Sequence, residues 1–201
     1  MINILFGKPL YINQLDFDNK KIVSQIDEPR QSSKQTNKMA SKKALYVLNQ
    51  PKFKKLKTLI MKEIQQFTKN EMKYDANFEI TTSWFTETNE HESSQFHNHN
   101  NSFLSGVLYL QVNPDSGSIV FEDFTDKRFM IRSTEYNQYN AQQFAINPQN
   151  GLIIMFPSEV WHQVNTNKSK EKRYSLAFNV IPTGVFGDVT SDSQVNIKLI
   201  K

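Results

Sequence analysis

Two stretches of the chain carry apolar residues at helical spacing. Asp18 or Asn19 can cap a first helix that runs to about residue 27, with Ile22, Val23 and Ile26 on its buried side. Pro51 suits the first turn of a second helix over about residues 51–69. There Phe53, Leu56, Leu59, Ile60, Ile64 and Phe67 recur at three- and four-residue intervals. A short strand within residues 1–12 precedes them. Residues 29–43, between the helices, are rich in Ser, Gln, Lys and Asn and read as a mobile loop or a lid. After Tyr74 the pattern changes to short β-type runs at 78–86, 104–111, 118–121, 128–132, 152–156, 160–164, 173–181 and 195–200. Turn signals such as Asn113-Pro114-Asp115-Ser116-Gly117 and Asn147-Pro148-Gln149-Asn150-Gly151 separate them. Short strands behind two helices predict a mainly β sandwich or barrel in one domain. Residues 1–74 would form its helical buttress and residues 75–201 its core.

Composition narrows this picture. With 38% apolar residues in 201, fifteen of them Phe, the chain can fill one sizeable core. It has no Cys, which excludes disulfides, thiolate metal sites and cysteine nucleophiles. No apolar run approaches the ~20 residues needed to cross a bilayer. The start of the chain lacks a basic leader, so the expectation is a soluble, cytoplasmic protein. The net charge of +4 is mild. Much of it lies in Lys52, Lys54, Lys55 and Lys57, interleaved with the apolar stripe of the second helix. A solvated helix face explains these lysines better than a nucleic-acid patch.

The chemistry concentrates in histidine. His97 and His99 are two residues apart, so on an extended strand they project from one face. His162, from a distant strand, can complete a three-ligand face on one metal, since neutral imidazole suits iron, zinc, copper and nickel. His91 sits in a polar loop and reads as a bystander. Arg173, Ser175 and Asn179 share one face of a strand whose other face carries Tyr174, Leu176 and Phe178. That polar face lines either water or a cavity. In a cavity, the arginine can hold a carboxylate by paired hydrogen bonds. Tyr109 offers either a phenolic donor or a core aromatic.

At these residues the chain resembles the 2-oxoglutarate- and Fe(II)-dependent oxygenases, in particular a group known from phages and marine bacteria. The resemblance rests on His97-Asn98-His99, the run from Asn101 to Leu110, Gly117 to Phe121, Phe156-Pro157-Ser158, His162, and the run from Arg173 to Asn179, in that order. It extends to the opening Leu5-Phe6-Gly7-Lys8-Pro9-Leu10-Tyr11 and covers residues 29–43 least. It implies a double-stranded β-helix, or jelly roll, that holds Fe(II) between its sheets. It also implies 2-oxoglutarate as cosubstrate, turned into succinate and carbon dioxide while a substrate is hydroxylated. His97 and His162 would be the two histidine ligands, Arg173 and Ser175 the cosubstrate anchor, and Tyr109 a further cosubstrate contact.

The chain departs from the family pattern at one position. Where the superfamily has Asp or Glu two residues after the first histidine, this chain has His99. Three neutral histidines leave the site more positive by one charge. Glu92, Glu122 and Asp123 stay open as an alternative third ligand. Two other functions also stay open: a three-histidine, cupin-type dioxygenase without cosubstrate, and a non-catalytic jelly-roll module that holds a metal. A protein side chain or small molecule is favoured as substrate over nucleic acid. The compartment expected is the cytoplasm of a bacterial or phage-infected host cell. No membrane partner is expected, and the oligomeric state stays open, a homodimer included.

Overall fold

A computed structural model describes residues 7–31, 43–123 and 131–199. The elements follow in the order β1 Tyr11–Gln14, α1 Asn19–Ser24, β2 Arg30–Gln31, three short 3-10 turns and α2 Lys54–Gln65. The remaining strands are β3 Asn77–Thr88, β4 Ser94–His97, β5 Leu104–Gln111, β6 Ile119–Glu122 and β7 Gln143–Ile146, then β8 Leu152–Pro157, β9 Trp161–Val164, β10 Arg173–Phe186 and β11 Val195–Ile197. The larger sheet has the order β1-β8-β5-β10-β3-β2, with β11 added on β10. The smaller runs β4-β9-β6-β7.

Local chemistry accounts for the helices. The Asp18 carboxylate caps α1 by accepting from the Lys21 backbone N–H at 3.0 Å. Leu56, Ile60 and Ile64 lie on one face of α2 and are buried against the larger sheet, with Phe53 edge-on to Phe85 at 5.0 Å. Leu108, Ile153, Met155, Leu176 and Phe178 meet them from the sheet. The sheet's other face carries Tyr109, Leu152, Ile154 and Phe156, which pack on Ile119 and Phe121 of the smaller sheet. The large sheet is therefore apolar on both faces at its centre. Gly106 is required there, because a Cβ would stand 2.2 Å from the Phe178 ring on the paired strand.

Most of the expected elements form. The second helix ends in a π-type turn, Gln66–Glu71, where a uniform helix was expected. β4 and β7 were not expected as strands. The strand expected at 128–132 is not formed at Ile131 and Arg132, and residues 128–130 lie outside the described residues. The opening strand is Tyr11–Gln14 rather than residues 1–12, of which 1–6 are not described. The expected lid at 29–43 falls largely outside the described residues, but its start, Arg30–Gln31, pairs in parallel with β3 at Thr86 and Glu87. No helix among the described residues is long and apolar enough to cross a membrane.

Candidate metal centre and cosubstrate pocket

The three histidines expected from the sequence come together. β4 pairs with β9 so that His97 stands directly opposite His162. His99 follows just beyond the end of β4, where its backbone N–H donates to the Ser158 carbonyl at 2.9 Å. The ring centroids of His97 and His162 are 4.3 Å apart, and His99 is 5.2 Å from each. One ligand atom from each lies within 4.8 Å of the others. Three nitrogens sharing one ion at ~2.1 Å stand ~3.0–3.6 Å apart, so small side-chain rotations that close these separations bring the three rings onto one ion.

Hydrogen bonds fix which nitrogen faces the centre. Nδ1 of His97 lies 2.7 Å from the Gln95 carbonyl and Nδ1 of His162 lies 3.0 Å from the Val160 carbonyl. Nδ1 of His99 lies 2.6 Å from Oδ1 of Asn179. The two backbone partners can only accept, so those Nδ1 atoms carry the proton. Asn179 is oriented the same way, because its Nδ2 donates to Thr82 at 3.1 Å while its Oδ1 also accepts from Ser105. All three Nε2 lone pairs are thus left for a metal, the arrangement that outer-shell acceptors impose on ligating histidines.

Burial keeps these rings neutral. His162 is 5% exposed, and desolvation, followed by the neighbouring His97, pushes its pKa down to about 3. His97 and His99 are also held below the usual histidine range, chiefly by burial, with the charge of Arg30 adding to the effect. Phe156 and Phe121 wall His162 at 4.7 and 6.1 Å, and Trp84 stacks beside His99 at 6.0 Å.

None of the carboxylates held open as third ligand joins the group among the described residues. Glu92 is turned to the Asn89 backbone N–H at 2.8 Å and Glu122 accepts from Gln143 at 3.0 Å. His91 is exposed in its turn, away from the cluster.

Arg173, Ser175 and Tyr109 line the same cavity of about 490 Å³. Arg173 is 2% exposed. One Nη donates to the Ser116 carbonyl at 2.9 Å and to that of Gly117 at 3.4 Å, and the other donates to Thr88 Oγ1 at 2.9 Å. Gly117 itself must have positive φ (82°), and a Cβ there would strike the Asn165 carbonyl at 2.1 Å. Nε of Arg173 and the hydroxyl of Tyr109 are buried without a partner among the described residues. A buried unsatisfied donor costs ~1–3 kcal/mol, more when charged. Two of them in one cavity fit a carboxylate ligand. Burial pushes the Tyr109 phenol up to about 12, so it stays a donor. Sequence reasoning missed Asn179 as the His99 partner, and it missed Arg30, Trp84 and Thr86 in the cavity wall.

Residues 82–179 match the family described as "Putative 2OG-Fe(II) oxygenase". That segment spans the three histidines, Tyr109, Arg173, Ser175 and Asn179. The matched segment, just under half of the chain, is similar to this 2OG-Fe(II) oxygenase family. No curated protein matches the sequence. Among solved structures, the fold is similar to a 2OG-Fe(II) oxygenase family oxidoreductase from Burkholderia pseudomallei (17% identity, TM-score 0.50). That match covers 66% of this chain and 57% of the other, so the chain spans less than two thirds of that protein. It is also similar to HygX from Streptomyces hygroscopicus, solved with nickel and 2-oxoglutarate bound (10% identity, TM-score 0.57, 88% and 83% covered). At these identities the likeness establishes the jelly-roll fold of the family.

Proposed function

We propose that this chain is a 2-oxoglutarate- and Fe(II)-dependent oxygenase that hydroxylates a small molecule or a protein side chain, with succinate and carbon dioxide as coproducts. His97, His99 and His162 hold the iron through Nε2. Arg173 grips the distal carboxylate of 2-oxoglutarate, with Tyr109 donating to it and Ser175 beside it. One observation carries the reading: two buried donors without partners, Arg173 Nε and Tyr109 Oη, share a cavity with three imidazoles whose Nε2 lone pairs converge.

When bound, iron and 2-oxoglutarate supply the oxidising power, with decarboxylation of the cosubstrate coupled to oxygen insertion into a C–H bond. The chain's own residues do the rest. The acceptors at Gln95, Val160 and Asn179 hold the three rings in the ligating tautomer. The wall of Phe121 and Phe156 keeps water from one side of His162. Arg173, anchored by the Ser116 carbonyl and Thr88, is pre-oriented before a carboxylate arrives. The whole chain acts as one domain, the helices of residues 1–74 buttressing the β core of 75–201.

The test is succinate formation under air with Fe(II) and 2-oxoglutarate, comparing the native protein with His162→Ala. The native protein should form succinate slowly alone and faster with its substrate, and the variant should form none. Equal rates in both would leave only a metal-holding binding module. The all-histidine ligand set favours one second reading, a cupin-type dioxygenase without cosubstrate. Under that reading 2-oxoglutarate would not bind.

A further inference from the structure

The cavity holds a second arginine that neither the metal centre nor the Arg173 anchor uses. Arg30 lines it from β2, the outermost strand of the large sheet. The register places Arg30 beside Thr86, Thr86 beside Ser175, and Ser175 beside Tyr109, and all four line the cavity. Arg30 is therefore two strands from Ser175, roughly 10 Å at the backbone. It stands at the sheet edge, where Arg173 stands on an inner strand. Its side chain is half-buried, and no carboxylate among the described residues pairs with it. It lines the same cavity as His97, His99 and His162.

Among the described residues, the lining has no Asp or Glu to offset the charge of Arg30. On the oxygenase reading, on which this inference rests, a divalent ion and two arginines bring four positive charges against the two negative charges of 2-oxoglutarate. The three imidazoles add none. Two positive charges remain in a partly desolvated cavity, where unpaired charge is costly.

We propose that Arg30 is a specificity-determining residue that binds an oxyanion of the primary substrate, a carboxylate or a phosphate, at the mouth of the cavity. The guanidinium fork suits either group by paired hydrogen bonds. Trp84 and Thr86, beside it on the cavity wall, would contact the part of the substrate next to that anion. An anion fixed at the sheet edge would direct the rest of the substrate across the cavity toward the three histidines, which line it with Arg30.

The chain has two Trp, so Trp161→Phe leaves Trp84 as the one indole reporter in the cavity. The Zn(II)-loaded Trp161→Phe protein, which cannot turn over, is titrated with acetate and with inorganic phosphate at constant ionic strength. Each titration is run with and without saturating 2-oxoglutarate. At least one anion should change Trp84 fluorescence saturably with 2-oxoglutarate present, and which one responds distinguishes carboxylate from phosphate. Arg30→Gln should weaken that response roughly tenfold or more, and Arg30→Lys should restore part of it. The affinity for 2-oxoglutarate should be unchanged in both variants. No saturable response to either anion, or the same response in Arg30→Gln, would overturn the proposal. So would a tenfold loss of 2-oxoglutarate affinity in Arg30→Gln, which would make Arg30 part of the cosubstrate anchor. Failure of 2-oxoglutarate to bind the native site, with an Arg30-dependent anion response retained, would sink the oxygenase reading alone.

Discussion

Asn179 shows how much a single residue decides. Its Oδ1 accepts from both His99 and Ser105, and Ser105 in turn meets Ser158 at 2.9 Å, so one amide ties His99 to a buried hydroxyl chain. Asn179→Leu should weaken metal binding by about 10–100-fold, whereas Asn179→Asp, which keeps the acceptor, should not; competition with a chelator measures both. Arg173→Gln should weaken 2-oxoglutarate binding at least tenfold in calorimetry and leave metal affinity nearly unchanged. Hydrogen bonds from a charged donor contribute ~1.5–3 kcal/mol each. His97 with His99, and Arg173 with Ser175, were legible as period-two pairs with matching chemistry, although His99 lies just past the end of β4. The Asn179 contact was not, because the register of β10 against β3 shifts between Asn179 and Val180, which no residue pattern announces. Tyr109 was left undecided between donor and core, and the structure gives it both properties: it is 1% exposed yet lines the cavity.

At the scale of elements, the centre depends on the pairing of β4 with β9. Both strands are four residues long, and together they bring two imidazoles to 4.3 Å between centroids, tilted by 50°. Protonating those rings would set like charges against each other across the pair. The folded-state pKa of His162 is about 3, below the 6.5 of an unperturbed histidine, so the unfolded chain takes up a proton first as pH falls. That contribution to the metal-free protein's stability is complete above pH 6.5 and is lost progressively as the pH falls toward 3. Thermal melting of the metal-free protein should therefore show a midpoint that drops between pH 7 and pH 5, and His162→Ala should flatten that dependence. β4 escaped the sequence reading because Ser94-Gln95-Phe96-His97 offers one large apolar residue. β7 escaped because Gln143–Ile146 is mostly exposed and only Ile146 packs on the core. The strands that were legible, such as β5, β8 and β10, are those whose apolar side chains fill the two cores.

Across the whole molecule, the large sheet works as a partition. One face packs on α2 and supplies rigidity, and the other meets the small sheet and holds the cavity. The layering followed from helices preceding a run of short strands. The strand order did not, because β1 pairs with β8, with Tyr11 opposite Met155, and nothing local specifies a partner so distant in sequence. Such an arrangement lets side chains from opposite sheets, His162 and Arg173, reach one cavity. The most direct test is an anaerobic crystal structure with Fe(II) and 2-oxoglutarate. One ion should lie ~2.0–2.2 Å from Nε2 of His97, His99 and His162, with the distal carboxylate of 2-oxoglutarate on Arg173 Nε and the Tyr109 hydroxyl. An ion bound by a carboxylate side chain in place of His99, or 2-oxoglutarate lying away from Arg173, would contradict the account.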